Sequence, residues 1–190
     1  MSAFLLLHGW QNRRPAGHWQ RWLADELASG RGHDVSYPQL PDPDDPELES
    51  WTRELGSLLE RFGEPSVVVC HSLGCLLWLH GVARGLVTEG AVERVLLVAP
   101  PSPAFVAGEP RIADFAPPAL RPGQLGEARL VAGDDDPYCP EGALAAYGGP
   151  LGIATEVIAG GGHLSMDDGY GAWPAVREWC LGPAAGVRFG

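Results

Sequence analysis

Ser72, His163 and the aspartates at 134–136 are the residues of this chain whose types and order could perform nucleophilic chemistry. A serine hydroxyl is a poor nucleophile at neutral pH. It needs a histidine to take its proton, and the histidine needs a carboxylate to fix its tautomer and stabilise the imidazolium. Ser72 follows the apolar, β-branched run Val67-Val68-Val69-Cys70-His71 and precedes the helix-forming run Leu73-Gly74-Cys75-Leu76-Leu77. The pattern reads as a strand driving into a helix through a strained turn, the G-x-S-x-G elbow that lifts a serine hydroxyl above a sheet and aims backbone N–H groups at a developing oxyanion. Small residues two before and two after the serine let strand and helix approach closely. Gly74 meets that need, and Cys70 stands where the first glycine would be. The plainer reading of a serine at such a junction is a helix N-cap.

The partners are sought downstream, in the order serine, acid, histidine. The run Ala128-Arg129-Leu130-Val131-Ala132 reads as a strand that breaks at Gly133 into Asp134-Asp135-Asp136-Pro137, and spacing alone does not choose among the three carboxylates. Residues 154–159 read as another strand, ending in Gly160-Gly161-Gly162-His163, where the glycines permit a sharp turn that presents the histidine. His163 is therefore the expected base. His8, His18, His33 and His80 lie in or beside predicted strands and helices and read as structural. His71 adjoins the serine, but successive residues of an extended segment point to opposite sides, so it is not the expected base. The first apolar run, Ala3 to Leu7, stops at His8-Gly9-Trp10-Gln11, which suits an oxyanion loop; by position the donors would be the backbone N–H groups of Trp10 and Leu73.

Strand-like runs at 3–8, 35–40, 66–71, 92–99, 127–132 and 154–159 alternate with helical stretches near 16–29, 47–62, 73–85 and 174–181. The alternation predicts parallel βαβ units in an α/β fold, a sheet of about six mostly parallel strands flanked by helices. Trp19, Trp22, Leu23 and Leu27 recur at helical spacing and are expected to pack on the sheet. With 190 residues the chain suits a single domain spanning 1–190. The Pro-rich stretch at 100–125 is expected to be poor in regular structure and either to border the crevice at the strand ends, with Phe105 and Phe115 narrowing it beside Gln11, or to be a plain surface crossover. It is too short for a large helical cap.

The net charge is −11 and all thirteen basic residues are arginine, which leaves no basic stripe and argues against a nucleic-acid partner. No apolar stretch reaches the roughly 18 residues of a membrane span, and the N-terminal run lacks a basic leader, so a cytoplasmic protein is expected. The four cysteines are expected as free thiols. No paired Cys or His spacing and no Gly-rich phosphate loop is present, so neither metal nor cofactor is expected, and the aspartates at 42, 44 and 45 read as helix-leading turn residues.

Taken together, His8-Gly9-Trp10-Gln11, His18-Trp19-Gln20, His71-Ser72-Leu73-Gly74, Asp135-Asp136-Pro137, Gly162-His163 and Gly169-Tyr170-Gly171-Ala172-Trp173-Pro174 make the chain resemble, over nearly its whole length, the small cap-less α/β-hydrolases of the retinoblastoma-binding-protein-9 and YdeN-like serine hydrolase family. The resemblance implies Ser72 as nucleophile, His163 as base and, from its place before proline, Asp136 as acid. The activity it implies is a carboxylesterase-like serine hydrolase acting on a small ester. A thioesterase or amidase would use the same residues, and a protein-binding module on a hydrolase fold, its protein partner unknown, is the alternative from another class.

Overall fold

The computed structural model describes residues 2–30, 32–62, 65–88, 90–182 and 186–190. Six strands form one sheet: β1 (Ser2–Leu7), β2 (His33–Ser36), β3 (Val67–His71), β4 (Arg94–Val98), β5 (Ala128–Gly133) and β6 (Ala154–Ile158). Every neighbouring pair is parallel, in the order β2-β1-β3-β4-β5-β6. The longer helices are α1 (Trp19–Ser29), α2 (Leu48–Phe62) and α3 (Leu73–Ala83), followed by the short α4 (Pro103–Gly108), a three-residue α5 (Gly149–Leu151) and the last helix α6 (Pro174–Leu181).

Parallel strands are covered on both faces and so are apolar at successive positions, with alternate residues serving opposite layers. Leu5, Leu7, Val68, Cys70, Leu97 and Leu130 pack with Trp51 and Leu55 of α2 and Leu76 of α3. Phe4, Leu6, Val67, Val69, Leu96 and Val131 pack on the other face with Trp19 and Leu23 of α1 and Trp179 of α6. The stripe expected in α1 is thus core, with Trp19 fully buried and Trp22 partly so.

The helical residues 144–151 between β5 and β6 were not expected, and three further details differ from the sequence reading. β2 ends at Ser36 rather than running to 40, because Pro38 has no N–H for a ladder; the chain instead turns back so that Leu40 N–H and Gln39 Nε2 reach the ring of His8. The stretch at 100–125 contains a helix, α4, with Pro103 at its first turn, where a proline costs nothing, and Ser102 Oγ accepting from Phe105 N–H as its cap. Phe115 does not reach the crevice. It is fully buried, edge-on to Trp51 with ring centroids 5.2 Å apart, because an inward turn at 113–115 carries it beneath α4 into the core, where burial of a phenyl ring stabilises by about 1.5–3 kcal/mol. Ile112 takes the position expected for it.

All four cysteines are buried and unpaired. No helix among the described residues is long and apolar enough to cross a membrane. Because the strands are parallel, their carboxyl ends share one edge. The sheet order reverses direction between β1 and β3, so the loops at 8–12 and 72 flank a switch-point crevice.

Candidate active site

Ser72 joins β3 to α3 with φ 53° and ψ −126°, a left-handed conformation that costs a non-glycine residue about 1–3 kcal/mol. It occupies the N-cap position, yet its side chain caps nothing. Its Oγ instead lies 2.9 Å from Nε2 of His163. The elbow is possible because α3 starts almost on top of β1: a Cβ on Gly74 would stand 2.6 Å from the carbonyl oxygens of both Leu7 and His8. Cys70, the substitute for the first elbow glycine, is accommodated in the core without exposure.

The loop after β6 carries His163, and the three adjacent aspartates after β5 each brace a different point of it. Asp134 Oδ1 accepts from Gly160 N–H at 2.8 Å, Asp135 Oδ1 from Gly162 N–H at 2.7 Å, and the Asp136 carboxylate accepts from His163 Nδ1 at 2.9 and 3.1 Å. Asp136 is itself held by the N–H of Tyr138, 2.9 Å from Oδ1. Of the three carboxylates that spacing left open, Asp136 meets the imidazole, and Asp134 and Asp135 meet the backbone beside it. With Nδ1 donating to the carboxylate, Nε2 is left as an acceptor for the Ser72 hydroxyl. Gly162, at φ 56°, makes the turn; a Cβ there would collide with the carboxylate of Asp168, which binds the N–H groups of His163 and Ser165.

His71 serves the same loop from the other side. Its Nε2 donates to the carbonyl of His163 at 3.0 Å, and it is buried, so it supports the histidine loop, while the hydrogen bond to Ser72 Oγ is made by His163. Burial holds the ring of His71 well below its usual pKa, and burial likewise holds His8 and His18 down at about 4, so all three are neutral at pH 7.

The turn at 8–11 is held from several directions. His8 Nδ1–H donates to Gly9 O at 2.8 Å while its Nε2 accepts from Leu40 N–H at 2.9 Å, Gln11 N–H donates to Pro43 O at 2.7 Å, and the Trp10 indole donates to Asp44 O at 3.1 Å. The arginine at 111 stacks on the Trp10 ring, 4.5 Å from its centroid. In a trans peptide the carbonyl and the following N–H point in opposite directions, so fixing Gly9 O fixes the direction of Trp10 N–H. Leu73 N–H belongs to the first residue of α3 and has no acceptor within the helix.

Two spaces meet at Ser72. The inner one, about 70 Å³, lies beside Leu73 and is walled by Pro101, Phe105, Ile112 and Tyr138, with Gln11 at its edge. The outer one, about 330 Å³, is an open cleft over His18 and His71, bounded by Asn12, Arg13, Ser165 and Met166. Tyr138 lines both, its ring 4.4 Å from that of His163 and 5.1 Å from that of Phe105. Tyr138 and Ile112 were missed in the sequence, although the place of Tyr138 two residues past Asp136 was a usable signal.

Over residues 4–180 the chain matches the model of a family described as serine hydrolase. It belongs to that family. Among curated proteins, YdeN of Bacillus subtilis strain 168 is 24% identical over 180 residues, 91% of each chain. The solved structure of the B. subtilis ydeN gene product superposes with a TM-score of 0.77 at 21% identity, covering 95% of this chain and 97% of that one. A YdeN-like protein from Pectobacterium atrosepticum gives 0.73 at 20% identity, covering 93% and 86%. Mouse alpha/beta hydrolase domain-containing protein 10 gives 0.63 at 17% identity, covering 85% and 82%. The fold is that of the α/β-hydrolases, in a small form without a cap, and this serine hydrolase family member is an enzyme of the hydrolase class.

Proposed function

We propose that this serine hydrolase cleaves small carboxylic esters through an acyl-enzyme on Ser72. The observation that carries the reading is the continuous chain from Ser72 Oγ through the His163 ring to Asp136, with hydrogen bonds of 2.9 Å at both Nε2 and Nδ1 and with the serine held at an elbow where it caps nothing. His163 takes the hydroxyl proton as Oγ bonds to the substrate carbonyl carbon, and Asp136 stabilises the imidazolium that forms. The N–H groups of Trp10 and Leu73 hold the oxyanion, aided by the positive end of α3. His163 then gives its proton to the departing alcohol oxygen as the carbon–oxygen bond breaks. Water repeats the sequence, losing a proton to His163, and Ser72 regains its own as the acid leaves.

Asp136→Asn is expected to lower kcat about 10⁴-fold, because an amide can donate to Nδ1 and so stabilise the wrong tautomer. Asp135→Asn keeps an oxygen for Gly162 N–H and is expected to stay within about tenfold of the parent, since one neutral hydrogen bond is worth roughly 1 kcal/mol. The reverse ranking in steady-state kinetics would move the acid role to Asp135.

The inner space is far smaller than the roughly 300–1,000 Å³ of pockets that enclose drug-sized ligands, which supports a short acyl group. Fluorophosphonate labelling followed by a p-nitrophenyl ester series tests the function directly. Labelling of Ser72 and a kcat/KM maximum at acetate to butyrate are expected. A maximum at acyl chains of about twelve carbons would contradict the small cavity, each added methylene changing binding by about 1–3 kcal/mol at most. A thioester or amide turned over far faster than every ester would transfer the assignment to that bond type.

A further inference from the structure

In the ester reading above, the inner space at Ser72 receives the acyl group, and the inference rests on that assignment. The apolar walls of this space are of two kinds. Leu73, Pro101 and Ile112 are buried, and the rings of Trp10 and Phe105, though partly exposed, pack against the core layer that contains Trp51 of α2 and Leu76 of α3. Tyr138 is the exception. It is 37% exposed, belongs to neither core layer, and lines the outer cleft as well as the inner space. Trimming any of the other walls takes packing out of the core, whereas trimming Tyr138 gives room toward open cleft.

The tyrosine side chain is held lightly. Among the described residues its ring meets those of His163 and Phe105, both toward the edge-on arrangement, and its hydroxyl has no hydrogen-bond partner. The main chain at the same position is held firmly. Tyr138 N–H donates to Asp136 Oδ1 at 2.9 Å, and Tyr138 O accepts at 2.8 Å from the N–H of Ser102, the cap residue of α4. Cys139 N–H closes the turn on Asp136 O at 3.1 Å, and Pro137 fixes φ on the other side. The hydrogen bonds that tie position 138 to the acid and to α4 therefore come from the backbone, whatever side chain stands there. What the side chain adds is a wall.

We infer that the side chain of Tyr138 sets the upper limit of acyl length, as a specificity-determining residue that takes no part in the bond-making steps. A smaller side chain lets the acyl chain run from the inner space of about 70 Å³ into the outer cleft of about 330 Å³. Each methylene that becomes buried on the way is worth about fourfold in kcat/KM.

The test divides kcat/KM for p-nitrophenyl octanoate by that for p-nitrophenyl butyrate, so that the leaving group is the same throughout. The parent ratio is expected to lie below one. Tyr138→Phe should keep it within about twofold, because the hydroxyl bonds nothing, and Tyr138→Ala should raise it about tenfold or more, the equivalent of some two newly buried methylenes. Loss of a merely structural tyrosine would lower both esters together and leave the ratio where it was. Should Tyr138→Ala not fold by circular dichroism, Tyr138→Leu is read in its place, with a smaller rise expected. A parent ratio above one, a ratio unmoved in the folded variant, or a Tyr138→Phe that shifts it as far as Tyr138→Ala overturns this inference and leaves the acyl-enzyme on Ser72 standing. No turnover of any ester by a parent enzyme that fluorophosphonate labels overturns both.

Discussion

Ser72→Ala is expected to abolish fluorophosphonate labelling and to lower kcat on p-nitrophenyl butyrate by about a million-fold, the loss seen when one member of a nucleophile–base–acid unit is removed. The residual rate would come from the amides of Trp10 and Leu73 and from binding alone. The fold should survive, because the side chain contributes one hydrogen bond, to His163, and fills no core volume. Circular dichroism and a thermal midpoint close to the parent would separate lost chemistry from lost structure. Substantial turnover by a folded Ser72→Ala protein would remove Ser72 from the mechanism.

His163→Ala should be comparably damaging for a different reason: among the described residues it removes the only group hydrogen-bonded to Ser72 Oγ that can take its proton. The loop that carries it is held through its backbone, by Asp135 at Gly162 N–H, by Asp168 at His163 N–H and by His71 at the carbonyl of His163. Removing the ring therefore leaves those bonds in place, and a large fall in kcat in a folded protein is the expected result. His71→Ala loses one of the three braces and is expected to cost about tenfold, the equivalent of one hydrogen bond. If His71→Ala were the more damaging of the two in parallel assays, the base would be His71 and the arrangement described for Ser72 would need a different proton path.

The placement of His71 was legible in local pattern. Alternation along β3 places His71 and Ser72 on opposite sides of the chain, and the structure has them serving different partners, one a carbonyl and the other an imidazole. The six strands were legible for a similar reason, since a parallel strand buried on both faces must be apolar at consecutive positions whatever its neighbours. β2 was misplaced because Pro38 cannot extend the ladder and the next two residues, Gln39 and Leu40, bond the ring of His8 and not the sheet. α4 was overlooked because proline density was read as a helix breaker where one proline sits at a helix start.

By itself the sequence determined the α/β layering, the elbow at Ser72 and the placement of an acid loop and a histidine loop after the last two strands, because each is written in periodicity or turn chemistry within about ten residues of chain. Only the tertiary structure separated three consecutive aspartates into one that meets the imidazole and two that meet the backbone, drew Phe115 into the core in favour of Ile112, and set His18 beside His71 across 53 residues of sequence. Those outcomes depend on how loops from distant strands pack against one another, and a local pattern carries no information about a contact whose other half lies elsewhere in the chain.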